Sequence, residues 1–408
     1  MPLKILMLHN LYSMQGGEDV SARSEAKLLQ DFGHSVDLVL YDNKAEKNLH
    51  SLRTATRAVW SFASTKDVQD RLINGNYDLM HVQNYFPLIS PAVLRVASRL
   101  RVPTVQALRN YRLICANGQL FRENQACFKC HGAFAPWHSI VHGCYRDSRA
   151  GSAAVTAMIA VHKLIGTWRA HTTAFVAVSE HVRDVYVRAG FPADRIFAKP
   201  NVVTGGSLID EAVDNQLAYV GRLSPEKGIE SLLEAWRRAN RPGRLVIAGD
   251  GPSDGVLRSM ADGDDTVSFL GRLTPDEAIV VMARSKAIVI PSLWGEPFPR
   301  TGVEALSVGT PVFGAASGGI VELIVKERAG AVYPAGDVDA LSRLIGRLFS
   351  DQQWASRLRE DARAVFAERY APQVILKRTE EIYRWAIAQV QPAQDKGSSS
   401  DSIDRDGS

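Results

Sequence analysis

Leu217-Ala218-Tyr219-Val220-Gly221-Arg222-Leu223-Ser224-Pro225-Glu226-Lys227-Gly228 opens with four apolar residues in a row and breaks at a glycine into a polar turn. An unbroken apolar run of that length fits a strand covered on both faces, and the Gly, Ser and Pro that follow end it before a helix begins. The unit recurs: Leu245-Val246-Ile247-Ala248, Val267-Ser268-Phe269-Leu270, Ala287-Ile288-Val289-Ile290 and Pro311-Val312-Phe313 start about every 20 to 28 residues, the spacing of a strand with its crossover helix. A parallel sheet with helices on both faces is the expectation.

Outward from this half, the N-terminal half repeats the rhythm with strands expected at 3–9, 35–41, 79–83, 104–108 and 174–178. Lys199-Pro200-Asn201-Val202-Val203-Thr204-Gly205-Gly206 reads as a connection rather than an element. The chain thus divides into a first domain at 1–200, a hinge at 201–215 and a second domain at 216–370. Helices are expected at 337–349, at 351–369 behind the N-cap Asp351, and at 372–390. The segment 371–390 is expected to cross back to the first domain, and 391–408, without apolar anchors, to be disordered. The fold class is α/β, with two doubly wound, Rossmann-like domains facing a central cleft that suits a nucleotide or nucleotide sugar.

The 408 residues are 46% apolar and 23% charged, which excludes a disordered, collagenous or coiled-coil protein. A net charge of +4 is too small to argue for nucleic acid, and no nucleic-acid-binding module appears. The N-terminus reads as a first strand rather than a signal peptide, and the apolar stretch 150–168 contains His162 and Lys163, so a cytoplasmic protein without a spanning helix is expected. No Gly-x-Gly-x-x-Gly follows an assigned strand, which disfavours NAD and FAD.

The chemistry concentrates in Ile290-Pro291-Ser292-Leu293-Trp294-Gly295-Glu296-Pro297-Phe298-Pro299-Arg300-Thr301-Gly302-Val303-Glu304. Glu296 falls in a loop after a strand and Glu304 inside the next helix, whose first N–H groups could take a diphosphate while the carboxylates accept from sugar and ribose hydroxyls. Arg222 and Lys227, on the loop after the first strand of this half, supply a fork donor and a point cation for the same diphosphate.

Taken in order, Gly221 to Gly228, Ala248-Gly249-Asp250-Gly251-Pro252, Phe269-Leu270-Gly271, Glu296 to Glu304 and Ser317-Gly318-Gly319-Ile320-Val321-Glu322 resemble glycosyltransferase family 4, the retaining enzymes of the GT-B fold. Gly16-Gly17-Glu18 is similar to that family's N-terminal glycine loop. The resemblance implies a UDP- or GDP-sugar held by the second domain, an acceptor held by the first, and no metal at the reaction centre. It implies that Arg222 and Lys227 stabilise the leaving diphosphate, Glu296 binds hydroxyls of the transferred hexose and Glu304 binds the ribose. Gly251, Leu270, Phe298, Pro299, Arg300 and Thr301 would complete the donor site, and Gly16 and Gly17 would let the first domain's backbone approach it. Arg109 stands where many members carry a histidine; it cannot be a general base at neutral pH and is expected to bind phosphate or acceptor.

Cys115, Cys127, Cys130 and Cys144 fall within 30 residues, in a segment at 109–147 that resembles a cysteine-rich subset of the family. A Cys-x-x-Cys core can place two thiolates on one ion with two distant partners completing a tetrahedron, so a structural zinc is expected, with His131, His138 or His142 as substitute ligands. The alternatives are reduced buried thiols and, disfavoured by a reducing compartment, disulfides. Between Arg95 and Arg149 nine basic residues face two acidic ones among interleaved aromatics, so an anionic membrane surface or a lipid-diphosphate acceptor is expected there. The expected function is a retaining hexosyltransferase acting on a lipid-linked or saccharide acceptor in cell-surface polysaccharide synthesis, at the inner face of the membrane. The alternative is a non-catalytic nucleotide-sugar-binding or scaffold protein of the same fold.

Overall fold

The computed structural model describes residues 1–12, 16–42, 52–203, 213–324 and 328–390. Most of the expected hinge and all of the expected tail lie outside the described residues.

Eight strands fall in the first half: β1 (Lys4–Leu11), β2 (Ser35–Asp42), β3 (Leu79–Asn84), β4 (Thr104–Leu108), β5 (Phe121–Arg122), β6 (Gln125–Ala126), β7 (Ala174–Ala177) and β8 (Ile196–Ala198). Six of them make a parallel sheet in the order β2-β1-β3-β4-β7-β8, while β5 and β6 pair as a small antiparallel ribbon. The second half supplies β9 (Gln216–Val220), β10 (Arg244–Ala248), β11 (Val267–Gly271), β12 (Ala287–Ile290), β13 (Val312–Ala315) and β14 (Gly330–Tyr333), also parallel, in the order β11-β10-β9-β12-β13-β14. The protein is thus α/β with two doubly wound sheets. β8 and β14 were not expected, because both are edge strands too short to show a periodicity.

Each sheet reverses its winding once, the first between β1 and β3 and the second between β9 and β12. The carboxyl ends of the strands at such a point splay apart and open a crevice. Here those ends lead into Gly16-Gly17, into Gly221 to Lys227 and into Ser292 to Glu296.

The last helix, Pro372–Val390, packs Ile375, Leu376, Ile382, Tyr383 and Ala386 against Ile5, Met7, Leu79, Val105 and Ala174 of the first sheet. The Tyr383 hydroxyl lies 2.6 Å from Nδ1 of His81 on β3. Among the described residues no helix is long and apolar enough to cross a membrane.

His162, in the helix Arg149–Leu164, is buried, with Nδ1 2.9 Å from the Thr167 hydroxyl and Nε2 2.7 Å from the Val59 carbonyl. Burial lowers its pKa from 6.5 to about 4, with the Val59 carbonyl opposing. The ring is therefore neutral in the fold, whereas the unfolded chain takes up a proton below pH 6.5; the stability is complete above that value and lost as pH falls toward 4. The loss is about 3 kcal/mol. Urea unfolding is expected to show it, with His162→Gln giving a flatter dependence between about pH 5 and 6.5, where carboxylates stay ionised. Equal slopes in the two proteins would contradict this reading.

Candidate active site

The winding reversals of the two sheets meet at a cavity of about 310 Å3 between the halves. The first half lines it with Gly17, Glu18, Ser21, Arg109, Asn110 and Asn201. The second half contributes the ends of β9 and β12 with their loops, including Arg222, Lys227 and Glu296.

Glu296 is 8% exposed and organises the second-half wall. Its Oε2 accepts from Lys227 Nζ at 2.7 Å, from Trp294 Nε1 at 2.9 Å and from the Ser292 hydroxyl at 3.1 Å. Oε1 takes no hydrogen bond among the described residues. Three donors on one oxygen fix the carboxylate's plane and leave the other oxygen as an open acceptor. Lys227 also sits 5.5 Å over the Trp294 ring. One ammonium proton is committed to Glu296, and two remain for another anion.

The turn that carries Lys227 is a short 3-10 helix, Pro225–Lys227, closed by Gly228 at φ +66°. A Cβ on Gly228 would stand 2.3 Å from the Pro291 carbonyl oxygen, so only glycine lets this turn lie against the strand end that leads to Glu296. Arg222 is exposed and makes no ion pair among the described residues.

Gly251 does not line the cavity. A Cβ there would meet the Leu223 carbonyl oxygen at 2.1 Å, and the Leu223 N–H donates to Asp250 O at 2.8 Å, so this loop instead buttresses the one carrying Arg222. Leu270 is 45% exposed on the edge strand β11, away from the cavity. Phe298, Pro299, Arg300 and Thr301 line it at the start of the helix Arg300–Ser307. Glu304 does not; its Oε1 accepts from Arg300 Nε at 2.7 Å, and Arg300 in turn donates to Val202 O of the first half at 3.1 Å. Gly16 is the N-cap of the helix Gly17–Asp31, and a Cβ on its neighbour Gly17 would meet no protein atom within 4 Å.

Two sequence profiles match the chain: one described as glycosyl transferase 4-like domain over residues 16–202, the other as glycosyl transferases group 1 over 210–365. The first covers the strands of the first sheet other than β1, and the second covers those of the second sheet. The chain belongs to the family 4-type glycosyltransferases. An uncharacterised 42.6 kDa protein in the cps region of Klebsiella pneumoniae is 23% identical to this glycosyltransferase over 354 residues, 79% of this chain and 87% of that one. The MMP alpha-(1->4)-mannosyltransferase of Mycolicibacterium hassiacum is 31% identical over 205 residues, 50% of this chain and 46% of that protein. Several other curated relatives are likewise matched over less than half of their length. Among solved structures, Anabaena HepE in complex with UDP superposes with a TM-score of 0.65 at 19% identity, covering 93% of this chain and 99% of that one. At that identity the likeness shows the GT-B fold.

Behind the cavity the transferase carries a buried network that sequence reasoning missed. Glu25 accepts from Lys199 Nζ at 2.6 Å and from Arg109 Nη2 at 2.7 Å, with all three side chains at most 5% exposed. Gln83 accepts from Arg109 Nε at 3.0 Å and donates to Glu25 at 3.1 Å, and Arg109 Nη1 donates to Asn201 Oδ1. Burial pushes the Glu25 carboxyl up, but Lys199, His81 and Arg109 outweigh it and hold it well below the usual carboxylate range. Burial lowers His81 to about 4, with Glu25 opposing. Arg109 thus reaches the cavity with four of its five N–H groups committed, so it is first an anchor of the first-half wall. No local signal marks Glu25 or Lys199, since the partners lie 84 and 174 residues from Glu25.

The zinc expectation rests on Cys115, Cys127, Cys130 and Cys144. Among the described residues no group of three or more His, Cys, Asp or Glu is placed to hold a metal ion. Cys115 is buried in the first-half core, its Sγ 2.9 Å from Asn117 Oδ1, and all four cysteines are free thiols. Burial raises Cys130 to about 11, with Cys115, Cys144 and Cys127 adding to it, and raises Cys144, with Cys115 and Cys127 adding to it, so the four sulfurs lie near one another.

Proposed function

We propose that the protein transfers a hexose, with retention of configuration, from a nucleoside-diphosphate sugar to a lipid-linked or saccharide acceptor in polysaccharide synthesis. The observation that carries this reading is the Lys227–Glu296 pair, locked by Ser292 and Trp294 at the winding reversal and flanked by the unpaired Arg222. A diphosphate placed between Arg222, the two remaining Lys227 protons and the first N–H groups of the helix Arg300–Ser307 would have its charge met as it departs. Glu296 Oε1 would accept from a hydroxyl of the sugar, and Glu304 would contact the ribose by way of Arg300. In the net reaction the bond from the anomeric carbon to the diphosphate breaks, a bond to the acceptor oxygen forms, and the acceptor proton leaves with the nucleoside diphosphate. The UDP held by HepE, the mannosyltransferase relative and the cps-region relative support the donor class, the hexose and the setting. Transfer assays with UDP- and GDP-hexoses and membrane-lipid extracts test the reading, and no transfer from any of them would sink it.

A face of the first half supports an acceptor at an anionic membrane. Leu164 and Phe134 are 73% and 56% exposed, and Arg95, Lys163 and Arg169 stand near them. Arg95 donates to Ile165 O at 3.0 Å, and Phe134, Lys163 and Arg169 share the wall of a second cavity of about 280 Å3. Each surface cation near anionic lipid contributes about 1 kcal/mol, so changing Arg95 and Arg169 to Ala is expected to weaken binding to phosphatidylglycerol vesicles about thirtyfold. Equal sedimentation with phosphatidylcholine and phosphatidylglycerol vesicles would contradict this face.

A further inference from the structure

We propose that Glu322, which lies outside the cavity, is a positioning residue that clamps the two halves together so that the first half fixes the loop carrying Glu296. Glu322 sits in the short helix Ile320–Leu323 of the second half. Its carboxylate accepts from the backbone N–H groups of Glu180 at 2.8 Å and His181 at 2.6 Å, which open the first-half helix Glu180–Arg188. A carboxylate on the first N–H groups of a helix meets the positive end of its dipole, so this capping bond joins the halves with charge assistance.

The consequence for Glu296 follows from the neighbours of this contact. Ser179, the N-cap of the same first-half helix, donates its hydroxyl to Pro297 O at 2.6 Å, and the buried Tyr111 donates to Gly295 O at 2.8 Å. Two first-half hydroxyls therefore grip the carbonyls on either side of Glu296. From the other side, Gly319 donates its N–H to Glu296 O at 2.7 Å, and a Cβ on Gly318 would stand 2.2 Å from that oxygen. The turn at Gly318-Gly319 leads directly to Glu322. None of Tyr111, Ser179 and Glu322 lines the cavity, so their effect on a ligand passes through the loop.

The inference rests on the transferase reading, and one of its two arms is independent of that reading. Small-angle scattering of the full chain without substrate is expected to show Glu322→Ala expanded relative to wild type, and Glu322→Gln, which keeps one acceptor oxygen, intermediate. Losing charge-assisted bonds of this kind is expected to lower kcat about tenfold to hundredfold in Glu322→Ala, with affinity for the free nucleoside diphosphate within about twofold of wild type. A Glu322→Ala protein that scatters as wild type does, that opens without losing kcat, or that loses nucleotide affinity in step with kcat would overturn the clamp. Should Glu322→Ala fail to fold, the same outcomes are read on Glu322→Gln. A wild type that binds no nucleotide would instead count against the transferase reading, and the scattering arm would still decide the clamp.

Discussion

Lys227→Ala is expected to lower turnover by about a hundredfold or more while leaving the fold intact, because in the proposed transfer it removes an ammonium that would meet the departing diphosphate. The ammonium is 22% exposed and 2.7 Å from Glu296. Without it, Glu296 Oε2 keeps Ser292 and Trp294 as donors, so the carboxylate is not left bare and the cost to stability is small. The loss belongs to the transition state, where negative charge gathers on the leaving group. Glu296→Ala is expected to do similar damage from the sugar side. Lys227→Arg should not rescue it, since a guanidinium fork cannot replace a point cation packed 5.5 Å over the Trp294 ring. Steady-state kinetics at saturating donor, with thermal unfolding as the fold control, check the claim. Turnover within about threefold of wild type in one of the alanine variants would remove that residue from the chemistry.

The largest effect on stability is expected at Glu25. Glu25→Gln leaves Arg109 and Lys199 buried without a counter-charge, and breaking such a pair from one side costs about 3–5 kcal/mol. Burial already lowers the pKa of Lys199, with Glu25 opposing, so the ammonium can relieve part of the penalty by losing its proton. Combining Glu25→Gln with Lys199→Met removes a stranded cation and should recover part of the loss. Urea denaturation of the three proteins near neutral pH measures this, and a single variant within about 1 kcal/mol of wild type would show that the network is not held by Glu25. The network also explains Arg109: an arginine in this position keeps its place in the cavity wall because Glu25, Gln83 and Asn201 absorb its donors.

The second half was the more legible in sequence because its strands are unbroken apolar runs with regular spacing, and because caps such as Asp351, which accepts from the Trp354 N–H, are local. The Lys227 turn and the Glu296 loop were legible for the same reason: each follows a strand end directly and carries its own charged residues. What escaped lies between distant segments. Glu25 and Lys199 meet across 174 residues, and Tyr111 and Gly295 across 184, and neither pair leaves a pattern in its own neighbourhood. The bond between Glu304 and Arg300 was not read either, because a helix position says which turn a carboxylate occupies and not that an arginine four residues earlier will take it. The cysteines, clustered in sequence, also lie near one another in the fold, with Cys115 buried beside Asn117.

The central claim is that the cavity between the halves binds a nucleoside diphosphate through the second half, with Lys227 as its main cation. Calorimetric titration of the full chain with UDP, GDP, ADP and dTDP tests it most directly, since the leaving nucleotide should bind without any acceptor. The expected result is that one of them binds with a Kd in the micromolar range and that Lys227→Ala abolishes the heat. Binding of none of the four, or binding that Lys227→Ala leaves unchanged, would contradict it.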